Sequence, residues 1–384
     1  MKFKTKVLHS YKVEDQHGAL NIPIYQSSTY QYPNFESGKA RFSGDEQGFI
    51  YSRMANPTVS ALEQTLAQIE GAEQALVVSS GMAALSSIFI ALCHQDDHIA
   101  VVEPVYGGSS AMLSQTLTRF GVNVHRYFSD DDLLERIHSQ TKIILFEPIS
   151  NPTLAINDFR KVKKAAEKVG AITVCDNTLY SPYFFRPLEH GMDLVMHSAT
   201  KYLSGHGDII AGVVAGANAL MDQVRTIGLK HLGASISPQD AYLLSRGLRT
   251  LPLRMEAHQQ GAMKVAEFLE SHPKVEKVHY SGLKSSPYHQ IASQSVGHFG
   301  GLVSFELVGG ESACQKTLDN LQLFTQAVSL GDLESLACHP ATTTHAAVSP
   351  ELRQEAGISD SLIRLSIGVE APEDLIADLS QALG

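Results

Sequence analysis

The sequence predicts an α/β protein in which a large domain with a mostly parallel sheet precedes a smaller C-terminal α/β domain. Three observations predict it. Short, fully apolar runs at residues 75–78, 99–102, 143–146, 172–174, 194–196 and 209–214 are separated by segments of helical length, and strands without polar alternation are those covered on both faces. Past Arg249 the character changes, with Leu251-Pro252-Leu253-Arg254-Met255 leading into a long helix and then shorter mixed segments, which places a boundary near residue 250. At 384 residues, 43% hydrophobic and 18% charged, the chain is globular and long enough for more than one core.

Composition narrows the function classes. A net charge of −10 with no Lys/Arg cluster argues against nucleic acid or an anionic membrane as partner. The cysteines, Cys93, Cys175, Cys314 and Cys338, are scattered without a C-x-x-C pair, so neither a disulfide framework nor a metal site is expected. Lys2, Lys4 and Lys6 are followed by polar residues where an export signal needs an apolar segment, and the most apolar stretch, 82–93, is too short to span a bilayer. A cytoplasmic protein without a membrane segment is expected.

Residues 1–55 alternate Pro, Gly, Tyr and Ser without a long helical period, so they read as an arm that wraps its own domain or reaches a neighbouring subunit. The arm ends at Tyr51-Ser52-Arg53. Asn56-Pro57-Thr58, followed by an apolar period at Val59, Leu62, Leu66 and Ile69, opens a helix with Thr58 as its expected cap. The large domain then spans 56–250 and the small one 251–384.

Ligands of open α/β sheets collect at strand C-terminal ends, so these carry the candidate site. After Val78, Ser79-Ser80-Gly81-Met82 opens a helix whose first amides suit an anion, although tight packing explains the same glycine. After Val102, Gly107 and Gly108 leave the Tyr106 ring free to lie against a planar ligand or to join the core. After Phe146 comes Glu147-Pro148-Ile149-Ser150-Asn151, whose Asn151 amide reaches solvent or ligand. Asp176, just past Val174, is a partly desolvated carboxylate needing a cation, either a protonated ring nitrogen or Lys201. The run 194–196 delivers Ser198, Thr200 and Lys201 to a Gly-rich turn. Hydroxyls suit phosphate oxygens, and a desolvated lysine can lose its proton and attack a carbonyl. In the C-terminal part Arg364 sits inside an apolar strand pattern, where a guanidinium needs a carboxylate from protein or substrate.

These pieces together describe a pyridoxal 5'-phosphate site. In order along the whole chain they resemble the transsulfuration (Cys/Met metabolism) family: Tyr51-Ser52-Arg53 with Asn56-Pro57-Thr58, Ser80-Gly81-Met82, Tyr106-Gly107-Gly108, Asn151-Pro152, Asp176-Asn177-Thr178, Ser198-Ala199-Thr200-Lys201-Tyr202, Ser329-Leu330-Gly331 and Arg364-Leu365-Ser366-Ile367-Gly368. The resemblance implies pyridoxal-phosphate fold type I, like aspartate aminotransferase. It implies that Lys201 holds the cofactor covalently and moves the α-proton, that Asp176 pairs with the pyridine nitrogen, and that Tyr106 stacks on the ring. Ser80, Gly81, Met82, Ser198 and Thr200 would hold the phosphate, joined by Tyr51 and Arg53 from a second subunit, with Tyr51 and Tyr106 also taking part in catalysis. Arg364 would bind the substrate carboxylate, with Asn151, Ser329 and Val328 nearby. It further implies a homodimer as the smallest active unit, commonly paired into a tetramer.

Within the family, long passages look most like methionine and cystathionine γ-lyases, and apolar Val328 suggests an apolar substrate tail. The implied reaction is α,γ-elimination of a sulfur amino acid to a thiol, ammonia and 2-oxobutanoate. Methionine γ-lyases typically carry cysteine and aspartate where this chain has Gly108 and His231. The sister reactions, γ-replacement by a cystathionine γ-synthase or acylhomoserine sulfhydrylase and β-elimination of cystathionine, therefore stay open.

Overall fold

The computed structural model describes residues 1–11, 17–346 and 348–384; residues 12–16 of the predicted arm lie outside this set. Seven strands form the larger sheet: Gln74–Val78 (β1), His98–Val102 (β2), Asn123–Tyr127 (β3), Thr141–Phe146 (β4), Ile172–Asp176 (β5), Leu194–Ser198 (β6) and Gly212–Gly216 (β7). Their order is β1-β7-β6-β5-β4-β2-β3. All neighbours run parallel except β7, which lies antiparallel between β1 and β6. Leu194, Val195 and Met196 show why apolar runs mark these strands. Each is 1% exposed or less, because helices cover both faces and bury successive side chains in two separate cores, at about 1.5–3 kcal/mol per large apolar side chain.

The apolar runs misplace one strand of this sheet and do not mark another. The run at 209–214 is a strand only from Gly212 on, and it continues to Gly216; Ile210 is 66% exposed and belongs to the preceding loop. β3 was missed because Asn123, His125 and Arg126 interrupt its apolar pattern, as suits a strand at the sheet edge. The cap of helix Pro57–Glu70 is also corrected. Asn56, not Thr58, accepts from the backbone N–H groups of Thr58 and Val59, while the Thr58 hydroxyl donates to the Pro23 carbonyl and accepts from the Tyr25 N–H. Thr58 thereby anchors the N-terminal segment.

Helix Leu251–Glu270 leads into a second sheet of five strands, Val275–His279 (β8), Leu302–Leu307 (β9), Thr325–Gln326 (β10), Leu336–Cys338 (β11) and Leu362–Ser366 (β12), in the order β10-β11-β12-β9-β8. This sheet has its own apolar core, including Val303, Phe305, Leu365 and Leu379. Among the described residues no helix is long and apolar enough to cross a membrane.

Candidate active site

One cavity of about 560 Å³ collects most of the predicted residues. Ser80, Gly81, Met82, Tyr106, Asn151, Asp176, Ser198, Thr200, Lys201, Val328, Ser329 and Arg364 all line it. It opens at the C-terminal ends of β1, β4, β5 and β6 and is closed by residues 328–330 and β12. Tyr51 and Arg53 do not line it. The Arg53 guanidinium donates to the Leu229 and Lys230 carbonyls at 3.0 and 2.9 Å and lies 5.6 Å from the centre of the Tyr51 ring.

Lys201 leaves β6 in a turn stabilised by its own backbone bonds and by Arg254, which also ties it to helix Pro238–Leu248. The Lys201 N–H donates to Ser198 O and the Gly205 N–H to Lys201 O, while buried Arg254 donates to the carbonyls of Tyr202 and Gly247 at 2.7 and 2.9 Å. Burial pushes Arg254 down to about 10, so it still carries its charge at neutral pH. Gly331 packs against the same turn with φ of +78°, and a Cβ there would lie 2.8 Å from the Tyr202 nitrogen; only glycine satisfies both demands. The Lys201 ammonium donates to Ser329 Oγ at 2.9 Å. Burial lowers the pKa of Lys201; Asp332 opposes this and Arg364 adds to it.

Asp176 ends β5. Its Oδ1 accepts from the Thr178 hydroxyl at 2.5 Å and the Thr178 N–H at 3.1 Å, and Thr178 Oγ1 in turn accepts from the Ser198 N–H at 2.8 Å. Lys201 turns to Ser329, so an Asp176–Lys201 ion pair does not form. Burial raises the Asp176 carboxyl, while the Thr178 bonds and His197 counter the rise. His197 itself pairs with Glu70 at 2.5 Å in full burial beneath the site.

The phosphate candidates divide by what they already do. Ser80 caps helix Gly81–Leu92 by accepting the Ala83 N–H at 3.0 Å, so the first-turn amides of Gly81 and Met82 are the donors left to an anion. The close packing weighed as an alternative for Gly81 is also present: a Cβ there would lie 2.9 Å from Ser198 Cβ. Thr200 Oγ1 accepts from the Ala211 N–H at 3.0 Å and retains its own proton for a ligand or for the Ala211 carbonyl, 3.3 Å away.

On the opposite wall, Arg364 is 2% exposed. It donates to Asn151 Oδ1 at 3.0 Å and to the Val328 and Ser329 carbonyls at 3.1 and 2.9 Å. Among the described residues no carboxylate pairs with it, and its Nε has no partner. A buried cation held by neutral acceptors alone still favours an anion.

Among the cavity residues that the sequence pattern does not single out, Glu147 and Thr178 make the most consequential contacts. Glu147 follows the last residue of β4, accepts the Tyr106 N–H at 2.6 Å, and is raised well above the usual carboxylate range, first by burial and then by Asp176. Its signal was available, since it is an acid at a strand end, as Asp176 is. Nothing in the sequence position of Thr178 announces that it links Asp176 to Ser198.

A lysine held below its ordinary pKa, a buried carboxyl lacking a cation, a helix start with free amides and a buried arginine without a carboxylate suit a phosphorylated, ring-containing aldehyde and an amino-acid carboxylate. The model of the family described as Cys/Met metabolism PLP-dependent enzymes matches residues 4–384, and the chain belongs to that family. It is 46% identical over 385 residues to an L-methionine γ-lyase of Pseudomonas putida, covering 99% of this chain and 97% of that one. It is 43% identical to a cystathionine β-lyase of Lactococcus lactis, covering 99% and 98%. A solved O-acetylhomoserine (thiol)-lyase of Campylobacter jejuni, carrying a pyridoxyl-lysine monophosphate, superposes with a TM-score of 0.95 at 38% identity over the full length of both chains. The cofactor is pyridoxal phosphate, and the donor set fits it: the Gly81 and Met82 amides with Ser198 and Thr200 for phosphate, Asp176 for a cationic ring nitrogen, and Lys201 for the aldehyde.

Proposed function

We propose that this protein is a pyridoxal-phosphate-dependent C–S lyase that cleaves the γ-thiol from sulfur amino acids, consuming water and giving thiol, ammonia and 2-oxobutanoate. The observation carrying this is the cavity itself. It opposes a low-pKa lysine to a buried arginine without a carboxylate and places apolar Val328, 57% exposed, on the same wall. When bound, the cofactor withdraws electrons from the substrate's α-carbon, which eases proton loss there and expulsion of the thiolate. Lys201 holds the cofactor and then takes and returns the α-proton, which its lowered pKa favours. Ser329 Oγ, 2.9 Å from Nζ, steers the amine. Arg364 and Asn151 receive the substrate carboxylate. Tyr106, whose N–H is held by Glu147, would stack on the cofactor's ring, and Asp176 would keep the ring nitrogen protonated.

Tyr51 and Arg53 act in the neighbouring subunit's site, so a dimer is the smallest active unit, and two dimers form a tetramer. Both lie away from their own cavity, and residues 1–55 expose Leu20, Phe35 and Phe42 at 92%, 80% and 69%, which suits a segment covered by a second copy. The arm, the large domain to residue 250 and the small domain beyond it are the working units of this arrangement.

Gly108 supports a second reading within the same chemistry. It matches the cystathionine-handling branch of the resemblance better than the methionine one, so γ-replacement or cystathionine β-elimination is the alternative. Incubation with methionine, homocysteine, cystathionine and acylated homoserine, measuring keto acid against new thioether, separates the two. Thioether without 2-oxobutanoate would sink the γ-lyase reading.

A further inference from the structure

The imidazoles of His98, His125 and His138 meet at the opposite end of the large sheet from the cofactor cavity. His98 opens β2 and His125 lies in β3, level with Ala100 in the parallel register, so the two project from one face, two rungs apart. His138 follows helix Asp130–Arg136 and stands just before β4. Its backbone is fixed there, since the His138 N–H donates to Tyr127 Oη at 3.1 Å. The rings are parallel within 10°, with centres 4.3–5.0 Å apart. His98 Nδ1 and His125 Nε2 are 2.7 Å apart, and one nitrogen from each of the three lies within 4.8 Å of the others.

We propose that His98, His125 and His138 bind one late-transition-metal dication of the zinc(II) class, at a site separate from the cofactor. Three neutral imidazoles are a ligand set for zinc, copper(II) or nickel(II) and a poor one for magnesium or calcium, which take oxygen. At metal–nitrogen distances of about 2.0–2.1 Å, tetrahedral coordination asks for nitrogens roughly 3.3 Å apart. His98 and His125 must therefore separate by about half an ångström from the observed contact, the near-parallel rings must turn so that their in-plane lone pairs meet at one point, and His138 must give up its long 3.3 Å contact with the Gln140 N–H if its Nδ1 becomes protonated. The neighbouring acid is engaged elsewhere: Asp97 Oδ2 accepts from Lys142 Nζ at 2.7 Å and from the His94 N–H at 2.6 Å. The fourth position is thus water's. All three side chains are half-buried, which gives an ion a route in. Cysteine spacing gives no sign of such a site, because its ligands are histidines distant from one another in sequence.

The site would clamp edge strand β3 and the turn before β4 to β2, far from the reacting atoms, so its consequence is stability. The test uses holoenzyme freed of metal by chelator and dialysis, then titrated with zinc chloride against a fluorescent zinc indicator while thermal unfolding is followed. One equivalent per chain and a rise in Tm are expected. His98→Gln and His125→Gln should each weaken binding by at least about tenfold, since outer-shell changes alone cost about 10–100-fold, and should abolish the Tm rise while leaving turnover unchanged. Lys201→Ala should keep the zinc equivalent, which separates this site from chelation at the cofactor. A measurement on the unmutated chain stands beside the variants: copper(II) at one equivalent should show nitrogen couplings from imidazoles in its EPR spectrum. Absence of stoichiometric zinc uptake, or uptake undiminished in the His98→Gln and His125→Gln proteins, overturns the proposal.

Discussion

Replacing Arg364 by lysine keeps a positive charge in the cavity wall but removes the planar fork. In the structure that fork is divided: Nη1 serves Asn151 Oδ1, Nη2 serves the Val328 and Ser329 carbonyls, and Nε is unpartnered. A lysine ammonium has three donors on one atom and cannot both hold these acceptors and grip a carboxylate with two parallel bonds. Losing one or two hydrogen bonds between charged groups, at about 1.5–3 kcal/mol each, amounts to about 3 kcal/mol. That is roughly two orders of magnitude in kcat/KM. Because Arg364 also supports the Ser329 carbonyl, the assay needs a control for simple disorder. Binding of the substrate amino acid and of the amine lacking its carboxylate should both be followed through the cofactor's absorbance. Arg364→Lys should weaken the amino acid strongly and the amine hardly at all. Equal weakening of the two, or a fall in kcat/KM below about fivefold, would refute the assignment of Arg364 to the substrate carboxylate.

Lys201→Ala should abolish turnover while cofactor still binds non-covalently through its phosphate, as read from retained absorbance after gel filtration; turnover near the parent rate would remove Lys201 from the mechanism. Arg53→Ala should weaken cofactor retention, and mixing it with Lys201→Ala under conditions that exchange subunits should restore activity through hybrid sites, whereas activity no greater than the sum of the parents would return the arm to its own chain. Gly108→Cys places a Cβ 2.5 Å from Tyr106 Cε1, so the ring must swing aside; stability should change by less than about 1 kcal/mol, but the cofactor band and KM should move, and a structure with the ring unshifted contradicts this. Burial holds His258 down to about 4, with Nδ1–H donated to Ile367 O at 2.7 Å. The unfolded chain protonates this histidine near 6.5, so stability should fall from about pH 6.5 toward 4 and then level, by about 3 kcal/mol in all; an equally steep fall in His258→Gln would exclude His258 as its source.

Most of the cofactor cavity was legible because its chemistry sits where sequence pattern and topology coincide. Apolar runs mark β1, β4, β5 and β6, and the residues just beyond them, Ser80, Asp176, Ser198 and Lys201, are there because parallel strands open one common end. Edge strand β3 was not legible, since its alternation is broken by side chains that need only one covered face. The Asn56 cap was missed for a different reason. Asparagine and threonine compete for the same helix start, and the outcome depended on Pro23 and Tyr25, some 35 and 33 residues away. Arg254 was visible only as a residue opening a helix, and its hold on the Lys201 turn is a tertiary contact across 52 residues.

The buried acids explain why the site's electrostatics had to be seen in three dimensions. Asp176 and Glu147 are 29 positions apart, yet Asp176 ends β5 and Glu147 immediately follows the neighbouring parallel β4, and the Asp176 charge helps raise Glu147. Two like charges in one desolvated space resist joint ionisation, so a proton is favoured on one of them. The asymmetry is built in: Asp176 accepts two bonds from Thr178 and feels His197, whereas Glu147 has the Tyr106 amide. Asp176 is therefore the acid that ionises first, as the proposed pairing with a cationic ring nitrogen requires, and Glu147 the one that favours its neutral form while accepting the Tyr106 N–H. A cation against Asp176 strengthens that division, because it stabilises the carboxylate it touches more than the one farther away. The pairing of one charged with one neutral acid thus follows from Thr178, a residue that makes no claim on the reaction itself.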